Sequence, residues 1–207
     1  METVVSILSI AGAITLGAMS PGPSFVMVAR TAVASSRADG LAAALGMGVG
    51  GVLFACAALL GLHVVLTAVP WLYLALKILG GAYLIYLGSM IWRGAREPLR
   101  IAEGAPASTF RRSFWLGLLT QVSNPKTAVV YASIFISLLP REVPLAAMLI
   151  LPLAIFVIEA GWYSVVALAL SAPSPRAAYL RWKVWVDRAA GGAMGLLGIK
   201  LIATARQ

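Results

Sequence analysis

Charge is what this sequence has least of. Asp, Glu, Lys and Arg make up 11% of its 207 residues, less than half the share of an ordinary soluble domain. Acids are scarcer than bases, seven against sixteen. A single cysteine, Cys56, excludes an intrachain disulfide, a CxxC redox pair and a cysteine cluster for metal. Set in "LFACAALL", it reads as a packing residue. The single histidine, His63 in "GLHVV", reads as an interfacial or capping group. One histidine and few acids leave too few ligands for a metal site. No nucleotide loop, paired-carboxylate set or serine–histidine arrangement rises above background, so neither enzyme chemistry nor a cofactor is indicated.

The net charge of +9 does not point to nucleic acid either. The basic residues sit in short segments between apolar runs, the pattern of membrane orientation.

Apolar length is what the sequence has in excess. It is 61% hydrophobic with a mean hydropathy of +0.94, and runs of about 20 apolar residues read as membrane spans. Six runs stand out: Val4 to about Ser36, Leu41–Val69, Trp71–Trp92, Phe114–Leu139, Leu145–Leu170 and about Val184–Thr204. Only helices satisfy their own backbone in hydrocarbon without a closed barrel. The expected fold is an all-α integral membrane protein with six transmembrane helices. The start, "METVVSIL", has no basic residue ahead of its apolar run, so it reads as the first span and not as a cleaved signal.

Placing the N-terminus outside puts eleven of the sixteen Lys and Arg on the inner side, from Arg30 and Arg37 through Arg93–Arg112 to Arg176–Arg188. Both termini are therefore expected outside. Residues 93–112, a polar linker, separate residues 1–92 from 113–207. The two parts resemble each other. "SPGPSFVMVA" from Ser20 aligns with "SNPKTAVVYA" from Ser123, and "WLYLALKILGGA" from Trp71 with "WKVWVDRAAGGA" from Trp182. Three spans per part would make them inverted repeats, an architecture of secondary transporters whose sites lie at broken helices near the midplane.

The proline breaks carry the polar residues. The first run would be ~50 Å long as a straight helix against a ~30 Å hydrocarbon core, and Ser20-Pro21-Gly22-Pro23-Ser24 interrupts it. Gly22 before Pro23 resembles a cap followed by proline at the first helical position. A half-helix beginning at Ser24 would aim N–H groups and partial positive charge into the protein, which suits a carboxylate; the other reading is a packing kink. The fourth run repeats the device with Asn124, Pro125 and Lys126. Lys126 lies too deep to reach the surface easily. An intramembrane lysine costs several kcal/mol without a partner or cavity. It would serve as counter-charge to an anionic substrate group or pair with Glu159, the only acid well inside a span. Glu159 would pair with Lys126, meet a substrate amine or carry a coupling proton; elimination of the other titrating groups favours the proton. Asp187 and Arg188 read as an interfacial anchor pair. Gly46/Gly50 and Gly191/Gly195 make GxxxG patterns, suited first to packing within the chain and second to a homodimer.

These blocks, together with "GLAAALGMGVGG", "LKILGGAYLIYLG" and "GLLTQVSNPKTAVVY", resemble the lysine exporter/threonine–homoserine resistance (LysE/RhtB) family in order and spacing over nearly the whole chain. The resemblance implies a small multi-pass protein of the bacterial inner membrane that exports amino acids or close derivatives, driven by the proton gradient. It implies importance for Pro21, Gly22, Pro23, Asn124, Pro125 and Lys126. With one deep acid for an extra substrate cation, small neutral amino acids such as threonine or homoserine are expected. The competing readings are a non-transporting assembly subunit and an exporter of another small solute or cation.

Overall fold

The computed structural model describes residues 2–20, 22–68, 70–97, 109–140, 143–171 and 173–204, with side chains left out at 2, 62–68, 70–73, 76–77 and 173–180. Pro21 and most of the linker lie outside the described residues, as do the side chains of His63 and Lys77.

The described chain is helical, in eight segments: α1 (Glu2–Met19), α2 (Pro23–Ala34), α3 (Arg37–Ala68), α4 (Pro70–Gly94), α5 (Phe110–Val122), α6 (Pro125–Leu138), α7 (Leu145–Leu170) and α8 (Pro173–Ala203). The first apolar run is broken as its prolines require, α2 turning 58° from α1. The fourth run divides into α5 and α6 at Ser123-Asn124. α8 starts well before the apolar stretch at Val184, because Ala, Arg and Lys tolerate a helix as readily as leucine does. Among the described residues two helices are long and apolar enough to cross a membrane, Arg37–Gly61 and Leu145–Leu170; counting the bent α1–α2 pair as one makes three.

α3 lies against α7 and α5, and α4 against α8. Small residues permit the approach. A Cβ on Gly46 would overlap the Phe114 carbonyl, and one on Gly117 the Ala43 carbonyl, so α3 and α5 touch backbone to backbone. α4 and α8 meet reciprocally. A Cβ on Gly81 would lie 2.7 Å from the Gly198 oxygen and one on Gly198 2.5 Å from the Gly81 oxygen; Gly88 and Gly191 repeat this at 2.5 and 2.7 Å. Gly46, Gly50 and Gly191 are thus taken up by Phe114, Gln121 and Gly88 within the chain.

Two apolar clusters form. One gathers Ile10, Ile14, Leu84, Val130, Phe135, Leu151 and Met194. The other gathers Phe25, Val28, Met47, Tyr163 and Val166. The polar residues of both helix breaks lie between them, with Phe25 and Tyr163 on one side and Ile14, Val130 and Tyr131 on the other.

Candidate functional site

Each break starts a helix in the same way. Gly22 precedes α2 in extended backbone, Pro23 is its first residue, and the Val26 N–H closes onto the Gly22 carbonyl at 2.9 Å. Asn124 caps α6, its Oδ1 accepting the Lys126 backbone N–H at 3.0 Å, with Pro125 as the first residue. Proline fits because a first-turn N–H has no carbonyl to meet inside the helix.

Side chains then join the breaks. The Ser24 hydroxyl donates to Gln121 Oε1 at 2.8 Å and accepts from Asn124 Nδ2 at 3.0 Å. Lys126 Nζ donates to the carbonyl oxygen and the hydroxyl of Ser20, both at 3.0 Å. Ser20, Gly22, Ser24, Asn124, Lys126 and Glu159 line one internal cavity, while Pro23 and Pro125 face a second. The residues singled out in the sequence are thereby brought together, apart from Pro21, which is outside the described residues.

Lys126 and Glu159 do not pair. Among the described residues the ion pair found is Lys183–Asp187, and the acceptors of Lys126 are neutral oxygens. Its positive charge is hydrogen-bonded but not neutralised. Glu159, 2% exposed, accepts the Tyr131 hydroxyl on Oε1 at 2.8 Å. Its Oε2 has no hydrogen-bond partner among the described residues.

Two spaces adjoin Lys126. The inner cavity, about 20 Å³, has room for about one water. The second is a vestibule of about 850 Å³ between α2, α4, α6 and α8, in the size range of small-molecule sites. It lies toward the end of the molecule where α4 finishes and α8 begins, as its lining from Tyr83 to Glu97 and at Lys183 and Asp187 shows. Gly22, Asn124 and Lys126 border both spaces.

Sequence reasoning missed Tyr131 and Tyr163. Tyr163 stands four residues after Glu159 on α7, the spacing that shares a helix face, and that signal was legible. Tyr131 faces Glu159 across two helices, which no local pattern reports. The Asp187–Arg188 anchor pair is corrected. Asp187 is 3% exposed and accepts from Lys183 Nζ at 2.7 Å, while Arg188 stacks over Trp92, 5.8 Å from the ring centre. Adjacent helical residues point about 100° apart, so they seldom pair.

The chain matches the model of the LysE type translocator family over residues 15–205. It is 36% identical to the threonine efflux protein of Salmonella typhi, across 89% of this chain and 91% of that one. Identity to the threonine efflux protein of Escherichia coli strain K12 is 35% over the same shares. The uncharacterized membrane protein YahN of E. coli K12 is 28% identical across 98% and 91%. No solved structure matches significantly. A family match running through both helix breaks and past the end of α8 places this chain in the LysE type translocator family.

Proposed function

We propose that this protein is a secondary active exporter of amino acids, small neutral ones such as threonine foremost, in a bacterial inner membrane. The observation that carries this reading is the Lys126 ammonium. It stands at the meeting of two proline-started half-helices with no carboxylate partner among the described residues. A cation and two helix N-termini make a receptor for a carboxylate, and the threonine efflux relatives make an amino acid the natural bearer of it.

In this reading α1–α2, α3, α4, α5–α6, α7 and α8 are six spans in two inverted repeats. The like-built breaks support it, with Gly22-Pro23 corresponding to Asn124-Pro125. So do the reciprocal glycines, with Gly81 and Gly88 corresponding to Gly191 and Gly198. Both correspondences differ by one residue from the pairing of the sequence blocks. Caps and contact points set equivalence in space, whereas abundant Gly and Ala match by composition. With both termini outside, the vestibule faces the cytoplasm, as loading by an exporter requires.

The substrate carboxylate would take Lys126 from the Ser20 oxygens, loosening the hold between the two breaks. An amino acid does not fit the inner cavity as it stands, so passage follows from movement of one repeat against the other. The proton is assigned to Glu159, a buried acid with one free oxygen on the far side of that cavity. One inward proton supplies ~2.3 kcal/mol per 100 mV and ~1.4 kcal/mol per pH unit, enough to sustain a large outward gradient. Vesicles holding only the purified protein, given a panel of amino acids with and without an imposed pH gradient, test the reading. Threonine flux accelerated by the gradient is expected; no flux of any amino acid overturns it.

A further inference from the structure

The export reading uses one charge of the vestibule and leaves another without a task. Asp187 lines the same space as Lys126, and the two charges act on each other. Its Oδ2 accepts from Lys183 Nζ at 2.7 Å, and Lys183 donates in turn to the Ala95 carbonyl at 3.2 Å, just past the end of α4. Its Oδ1 has no hydrogen-bond partner among the described residues. An ionised carboxylate offers about four acceptor positions, and a buried one left incomplete is costly. Lys183 therefore fixes the side chain through one oxygen and leaves the other uncommitted.

Glu97 is the other acid of the vestibule wall, but it is exposed, and an exposed charge gains little from a second ion. Asp187 is buried, where pairing with a hydrogen-bonded cation counts for far more. Resting on the proposed export of amino acids, we infer that Asp187 is the acceptor for the substrate's α-ammonium group, with Lys126 receiving the carboxylate. The two form a docking subsite for zwitterions in the vestibule, ahead of the small inner cavity. Glu159 then remains available for the proton.

The test compares L-threonine with N-acetyl-L-threonine, which keeps the carboxylate and lacks the ammonium, in vesicles containing the full chain. Wild-type protein should show a KM for the acetylated compound about tenfold or more above that for threonine; equal KM values overturn the assignment. Asp187→Asn should raise the threonine KM by about tenfold or more while leaving that of N-acetylthreonine nearly unchanged. An equal loss for both compounds means a structural role and overturns it. Asp187→Asn strands a buried lysine, so Lys183→Met/Asp187→Asn is measured beside it. The double variant should remain poor for threonine, and recovery of the wild-type KM reduces the pair to a staple between α4 and α8. Wild-type flux with an unaltered Asp187→Asn KM overturns this assignment alone. Absence of wild-type flux for every amino acid overturns the export reading and this assignment with it.

Discussion

Lys126 Nζ holds the carbonyl oxygen of Ser20, 106 residues earlier in the chain, at 3.0 Å. The ammonium thus sits at the positive start of its own helix, α6, and against the negative finish of α1. The first placement is unfavourable for a cation and the second favourable, each by about 0.3–1 kcal/mol. Nearly balanced terms leave the ammonium easy to recruit. A carboxylate forms a charge-assisted bond roughly twice as strong as one to a neutral oxygen, so an incoming anion outcompetes Ser20.

Removing that ammonium should severely impair transport. Lys126→Ala is expected to lower kcat/KM for threonine by about tenfold to a hundredfold, the range for losing a hydrogen bond to a charged group, with protein still present in the membrane. Counterflow at the wild-type rate would reduce Lys126 to a tie between the helix breaks.

Coupling is expected to depend on Glu159. Glu159→Gln keeps the side-chain size and still accepts from Tyr131, but carries no exchangeable charge. Threonine exchange should persist while acceleration by an imposed pH gradient disappears. Full gradient-driven export by this variant would move the proton elsewhere.

The α4–α8 contact has no room for a side chain at Gly81. Gly81→Val is expected to destabilise the protein in detergent by about 1–3 kcal/mol, the usual range for overpacking, read as a lower melting temperature. Gly12→Ala, where a Cβ would meet nothing within 4 Å, should leave melting unchanged or raise it slightly. Equal melting of Gly81→Val and wild type would mean that α4 and α8 separate freely.

Orientation is open to labelling. With Cys56 replaced by serine, Arg111→Cys should react with an impermeant thiol reagent only after cells are opened, and Ala203→Cys in intact cells. The reverse pattern would invert the topology and turn the vestibule outward.

The sequence alone carried the helix content, since hydrocarbon leaves the backbone little alternative. Leu145–Leu170 was legible to the residue because Pro144 and Ser171 bound an apolar run whose one charged residue is Glu159. The starts of α2 and α6 were legible too, because proline and its capping neighbour act within a single turn. Even the gathering of polar residues at two breaks could be read, because Ser20, Ser24, Asn124 and Lys126 stand beside prolines inside apolar runs.

Tertiary structure decided the partners. Lys126 to Ser20, Tyr131 to Glu159 and Lys183 to Ala95 each join different helices, and periodicity gives the face of a residue without saying which helix it meets. The one-residue shifts in repeat correspondence and the separation of Asp187 from Arg188 have the same origin. So does the contrast between a cavity of about 20 Å³ and a vestibule of about 850 Å³ beside one lysine. Spacing along a helix is local chemistry; which charges share a space depends on how whole helices pack, and here backbone contacts at glycines set that packing.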